Sequence, residues 1–111
     1  GQGPDAKTRE TFRFEARHIA EYEGRPQSRV CVSVSGRDPG YNETSKMVVE
    51  SGIILALRRY KCYRSNALAR GLKGGVFTPG FAFGHIYTRR LHKAGIVFQR
   101  VQLDAEQRAR Q

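Results

Sequence analysis

Residues 74–84, GGVFTPGFAFG, combine four glycines and a proline with large apolar side chains. Glycine-rich turns that open helices often bind phosphate. A dinucleotide fingerprint needs the spacing G-x-G-x-x-G and an acidic residue about 20 positions later, and neither is present. A Walker A loop is excluded because Phe81 stands where lysine is required. A weaker prediction remains, in which the backbone at Thr78, Pro79 and Gly80 starts a helix and holds an anion or faces a cofactor bound elsewhere.

Histidines and cysteines do not form a convincing metal or catalytic set. His85 and His92 are seven positions apart, about 10 Å along a helix, which is too far to bind one ion. Cys31 and Cys62 are isolated, and no CxxC spacing occurs. The thiolate of Cys62 is favoured by neighbouring basic side chains, but packing or incidental roles are the better interpretation for both cysteines. We therefore predict no metal site and no catalytic residue.

Positive charge is concentrated in the second half of the chain. The net charge is +10, and no carboxylate side chain occurs between Glu50 and Asp104. Such a stretch attracts RNA, anionic lipid or an acidic protein surface. The candidate contacts are Arg58, Arg59, Lys61, Arg64, Arg89 and Arg90. Tyrosines interleave the first four and could stack on bases, although a solvated helix end explains the same run.

Three strands and two helices must position these residues. Phe12 to Arg17 alternates apolar and polar residues, and RVCVSVS at 29–35 does the same, so an antiparallel hairpin is expected across the turn at 23–27. The first alternation slips at 18–20, which predicts a bulge. A final strand is expected over 96–103, and a short strand or extended segment at Val76 and Phe77.

Helix signals occur at two places. The first predicted helix begins near Asn42, the expected N-cap, and its body SKMVVESGIILALRRY is apolar on most faces, which predicts a buried helix. The second begins at Thr78 and Pro79 and ends at Gly95. The fold class is therefore α+β: a small antiparallel or mixed sheet, a hairpin plus a C-terminal strand, packed by two helices in the order β-β-α-(β)-α-β.

Length and composition predict one domain. The chain has 111 residues, of which 39% are hydrophobic, and has no apolar run long enough for a membrane span. We expect a flexible lead-in over 1–10, an α+β domain over 11–103 and a polar tail over 104–111. The first residues have no signal-peptide pattern and no starting methionine, which suggests a processed chain, a trimmed product or a fragment.

Two segments resemble a known family. SVSGRDPGYNETSKMVVESGIILAL and KGGVFTPGFAFGHIYTRRLHKAGIVFQ are similar to the C-terminal region of saccharopine dehydrogenase-like oxidoreductases, which carry a G-x-x-x-GY segment before a helix and a GGV-x-TPG turn. The resemblance covers roughly residues 28–103. In that family an N-terminal Rossmann domain binds the nicotinamide cofactor, and the C-terminal part helps to wall the active site. That first domain has no counterpart in this chain.

The resemblance implies specific roles. It places Arg37, Tyr41, Thr78, Pro79 and Gly80 nearest a cofactor cleft, where they would act by shape and hydrogen bonding and not by proton transfer. NADP(H) or NAD(H) is implied for a full-length relative, and we expect no cofactor to bind this chain alone. Two hypotheses follow. The chain is a non-catalytic C-terminal portion that needs its missing half or a partner chain, or it is a basic accessory subunit of a large complex or ribosome. We expect an intracellular location, mitochondrial in the second hypothesis.

Overall fold

The computed structural model describes residues 2–65 and 75–102, with the side chains of 26, 27 and 58–65 left aside. The described elements are α1 Ala6–Thr11, β1 Phe14–Tyr22, β2 Arg25–Gly36, α2 Asn42–Ser65, α3 Pro79–Phe83, α4 His85–Lys93 and β3 Val97–Val101. The α+β class is confirmed. The predicted polar tail at 104–111 lies outside the described residues, as does the stretch 66–74.

Strand β2 is the centre of a three-stranded antiparallel sheet in the order β1-β2-β3. The predicted hairpin is confirmed, with Phe14 opposite Gly36 and Tyr22 opposite Arg25. Its turn is Glu23 and Gly24, and Gly24 has a φ of 75°, which glycine adopts without strain. The predicted bulge at 18–20 is wrong, because the register stays regular there and shifts only between Glu21 and Tyr22.

A short helix, α1, precedes the sheet where the composition suggested only a polar lead-in. The carboxylate of Asp5 accepts a 2.7 Å hydrogen bond from Thr8 N and caps this helix. This backbone hydrogen bond is the main cause that holds the pKa of Asp5 below its usual range. An aspartate three positions before the bonded N–H is a local capping signal, so the helix has a sequence basis.

Two helices, α3 and α4, replace the single helix expected after Thr78. The predicted start is confirmed, since Thr78 Oγ1 accepts from Phe81 N and Pro79 is the first helical residue. The break lies at Gly84, whose φ of 52° and ψ of −136° no helix accommodates. Val76 and Phe77 are not a strand, and they lead into α3 without ladder pairing in the described chain.

The end of α4 sets the direction of β3. Gly95 has a φ of 97°, and its N–H donates to His92 O at 3.1 Å. Ile96 N donates to Leu91 O at 3.0 Å, which completes the Schellman pattern. Leu91 and Ile96, the two residues joined by this hydrogen bond, are both buried apolar residues, as is common in this motif. Gly95 therefore ends the helix as predicted and fixes where β3 begins.

The main core cluster lies among the helices. It contains Ile54 of α2, Ala82 and Phe83 of α3 and Ile86 of α4, with Phe77 and Tyr87 packed against it. Helix α2 uses only one side for this packing, and Val48, Val49, Leu55 and Leu57 are exposed. The prediction of a buried α2 is therefore wrong for the described chain, because no described element covers its other side.

Candidate functional site

The loop between β2 and α2 is organised by Asp38. Its Oδ2 accepts hydrogen bonds from Tyr41 N at 2.8 Å and Asn42 N at 2.9 Å, and its carbonyl oxygen accepts from Glu43 N. Through these interactions the Asp38 carboxylate caps the start of α2. The prediction of Asn42 as the N-cap is wrong, because Asn42 is already helical. The N–H of Asn42, followed by those of Tyr41 and Gly40, keeps the pKa of the Asp38 carboxyl below its usual range against the opposing effect of burial. Asp38 therefore stays ionised at neutral pH and cannot act as a proton donor.

Glu43 is a second buried carboxylate at the same helix start. Its side chain is fully enclosed. Oε1 accepts from Arg37 N at 3.1 Å and from Lys46 Nζ at 3.0 Å. Oε2 lies 2.9 Å from Lys46 Nζ in an ion pair, without a well-directed hydrogen bond among the described residues. Such a buried charge is tolerable because a cation and a backbone donor compensate it.

A cavity of about 490 Å³ opens beside this loop, at the end of the sheet. It is lined by Arg13, Phe14, Glu15, Ser35, Gly36, Arg37, Gly95 and Val97. Two guanidinium groups and one carboxylate give it mixed charge. Glu15 accepts hydrogen bonds from Arg17 and Ser33, which hold its pKa below its usual range. Arg37 is the predicted site residue that lies on this cavity.

Tyr41 lies against the N-terminal segment. Its ring faces Arg9, whose guanidinium carbon is 5.8 Å from the ring centroid. A Cβ built on Gly3 would come within 2.2 Å of the Tyr41 hydroxyl, so a larger residue at this position would displace the Tyr41 ring. Tyr41 nevertheless remains about half exposed. Its position favours a role in holding α1 against the β2–α2 loop.

The turn at Thr78, Pro79 and Gly80 has few free donors. Proline has no N–H, Phe81 N donates to Thr78 Oγ1, and Ala82 N donates to Thr78 O. Helix α3 is only five residues long, so its N-terminus is a poor anion site. Phe81 packs against Phe77 with ring centroids 5.3 Å apart. In the described part of the chain, this turn bonds within α3 and packs against the helical core, apart from the Arg37–Tyr41 loop.

The predicted anion-contact residues differ in their availability. Arg89 is exposed on α4, whereas Arg90 Nε donates to Glu50 Oε2 on α2 in a partly buried ion pair. Arg58, Arg59, Lys61 and Arg64 lie in the last turns of α2, and their side chains are outside the description. An anionic partner for this surface therefore stays a prediction.

Metal-binding chemistry finds no support in the described residues, which contain no cluster of three or more His, Cys, Asp or Glu side chains able to hold an ion. Cys31 is a buried free thiol on β2. His92 Nδ1 accepts from Phe98 N at 3.4 Å, which links α4 to β3.

Among the described helices, none has the length and apolar character needed to cross a membrane.

Comparison with known proteins identifies the relatives of the chain. A saccharopine dehydrogenase-like oxidoreductase from Bos taurus is 33% identical over 81 residues, which is 72% of this chain. The chain is a distant homologue of the saccharopine dehydrogenase-like oxidoreductases. A protein named "Putative trans-acting enoyl reductase", from two strains of Mycobacterium tuberculosis, is 33% identical over 105 residues, or 93% of this chain. The family resemblance of the sequence is thereby confirmed at the level of distant homology.

The matches cover only a small part of each relative. The matched region is 17% of the bovine protein and 22% of each mycobacterial one, so the chain spans about a fifth of the length of these relatives. No family model matches the chain. No solved structure matches it.

Sequence reasoning missed the two carboxylates that build the loop. Asp38 stands three and four positions before the N–H groups that it binds, within GRDPGYNE, and that spacing was the available signal. Lys46 follows Glu43 by three positions, which places the two on one helix face. The residues next to Glu43 in the sequence do not predict its full burial, because that burial depends on Gly36 and Phe14 of the sheet.

Proposed function

We propose that this chain is the C-terminal, non-nucleotide-binding portion of a saccharopine dehydrogenase-like oxidoreductase and that it is not catalytic by itself. The observation that carries the proposal is the match to about a fifth of each relative, over most of this chain. A portion of that size leaves ample length in the relatives for a separate cofactor domain.

The local geometry supports the absence of a nucleotide site from this portion. Both strand pairings in the described sheet are antiparallel, whereas a dinucleotide fold needs parallel strands joined by a helix. In the glycine-rich turn, the N–H groups of Phe81 and Ala82 bond to Thr78 and start α3. NADP(H) or NAD(H) would then be held by the remainder of a longer polypeptide, and Arg37, on the cavity at the sheet end, is the best-placed of the five predicted residues to face it.

Titration with NADPH tests this proposal directly. Nicotinamide fluorescence of NADPH should show no saturable binding to the isolated chain. The longer polypeptide that contains this chain should bind NADPH saturably. Circular dichroism of the isolated chain would verify that it is folded. Saturable NADPH binding, or NADPH oxidation, by the isolated chain would overturn the proposal.

An accessory subunit of a large complex, mitochondrial in our expectation, is the second candidate. Exposed apolar residues on α2 favour a protein partner, and the exposed Arg89 favours an acidic or anionic one. The native mass separates the candidates, since a free chain of 12.5 kDa that sediments with a large complex supports this candidate. Recovery of the chain only as part of a longer polypeptide would rule out the accessory-subunit candidate.

A further inference from the structure

Over residues 45–56, the side of α2 that points away from the helical core is mainly apolar and carries no charge. This outer face of α2 consists of Ser45, Val48, Val49, Gly52, Leu55 and Ala56, all exposed. Val48 is 66% exposed, Val49 58% and Leu55 47%. These positions recur at three- and four-residue spacing and so form one continuous stripe over three turns. A surface helix would place polar or charged side chains there.

The opposite side of the same helix makes the contacts with the helical core. Ile54 is buried in the core cluster. The carbonyl oxygen of Met47 accepts a 3.0 Å hydrogen bond from the hydroxyl of Tyr87 on α4. Glu50 pairs with Arg90. Over residues 45–56, helix α2 thus packs on one side and is uncharged and mainly apolar on the other, although 27% of the whole chain is charged. Such a helix is suited to lie between two apolar layers.

We propose that the outer face of α2 docks against the remainder of a longer polypeptide, the part that the relatives carry beyond the matched region. This inference rests on the proposed function. The matched region is only 17–22% of those relatives, so most of their length has no counterpart here that could cover the face. The covering surface is apolar and uncharged. It approaches most closely at Gly52, where a built Cβ meets nothing within 4 Å.

A second copy of this chain fits the face less well. Each copy carries a net charge of +10, so two copies repel each other as they approach. A stable dimer buries roughly 1,200–2,000 Å² in total, which is more than a single three-turn stripe on each copy supplies. The remainder of a longer polypeptide is tethered, and tethering gives a small apolar contact a high effective concentration.

Thiol footprinting tests the inference with a matched pair of positions. Val48→Cys probes the outer face, and Leu57→Cys probes an exposed apolar position on another side of the same helix. Both are made with Cys62→Ser, since Cys31 is buried. Maleimide labelling rates are measured in the isolated chain and in the longer polypeptide. The Val48→Cys thiol should label at least about tenfold more slowly in the longer polypeptide, and the Leu57→Cys thiol at a similar rate in both.

Each outcome decides a different point. Equal labelling of Val48→Cys in both forms would overturn the docking inference while leaving the proposed function intact. Slow labelling in the isolated chain that speeds up on dilution would assign the face to a second copy and would also overturn it. Saturable NADPH binding by the isolated chain, measured separately, would overturn the proposed function. A gene that encodes no longer polypeptide would overturn both.

Discussion

Arg90 of α4 donates a hydrogen bond through Nε to Oε2 of Glu50 on α2. Glu50 is the last carboxylate before the stretch that carries ten basic residues and no acid. One cation of that stretch is therefore already neutralised by a contact inside the helical layer. Arg89, its neighbour, is exposed. The basic surface is consequently smaller than the sequence count indicates.

Replacement of Glu50 by Gln should lower the free energy of unfolding by about 1–3 kcal/mol, because the partly buried Arg90 loses a charged hydrogen-bond acceptor. Urea unfolding of the isolated chain measures the change. Glu23→Gln, in the exposed β1–β2 turn, is the control and should have almost no effect. In a double-mutant cycle with Arg90→Gln, purely additive effects would contradict a direct pair.

Replacement of Asp38 by Asn should give a pH-dependent loss of stability. The pKa of Asp38 is lowered in the folded protein, so its carboxylate stabilises the fold above the usual value near 3.8. That contribution is lost as the pH falls through the lowered pKa. The melting temperatures of the wild type and Asp38→Asn should therefore differ by a few degrees at neutral pH and converge as the pH falls below the usual value of 3.8 and through the lowered pKa. A constant difference over this range would show that the charge of Asp38 is unimportant.

Replacement of Gly84 by Ala should destabilise the protein by about 1–3 kcal/mol, because alanine is strained at a φ of 52° and ψ of −136°. Gly80→Ala is the matched control. Gly80 lies inside α3, where a Cβ meets nothing within 4 Å, so alanine should be neutral or slightly stabilising. Thermal unfolding of both variants measures the difference, and equal melting temperatures would contradict the assigned break between α3 and α4.

Replacement of Gly52 by Ala should have opposite effects in two contexts. In the isolated chain it should raise the free energy of unfolding by about 0.5–1 kcal/mol, because the position is helical, exposed and open. In the longer polypeptide the added methyl group should lower the melting temperature, because it meets the docked surface. The same stabilisation in both forms would argue against close approach at Gly52.

Local patterns predicted those elements that local interactions determine. Alternation found the hairpin, and the Thr78-Pro79 dipeptide found the start of α3. The break at Gly84 was missed because a single glycine within a helical pattern is usually tolerated, and only its dihedral angles reveal the turn. The burial of α2 was overestimated because apolar content does not say which element covers each face.

The candidate site was predicted less well, for a related reason. Arg37 lies on a cavity, but that cavity also needs Arg13 and Gly95 from distant parts of the chain. Asp38 and Glu43 act through backbone donors brought near by the fold of the loop. Contacts between residues far apart in the sequence leave no periodic pattern in it.

The pairing of β2 with β3 has a consequence for the order in which the protein folds. Strands β1 and β2 are joined by two residues and can pair within microseconds, whereas Ser35 meets Val97 some sixty positions later. Closing that span costs chain entropy before any ladder contact offsets it. The Schellman turn at Gly95 lowers this barrier, since it aims β3 as soon as α4 forms. We therefore expect the helical layer to assemble first and the third strand to join in the slow phase of refolding.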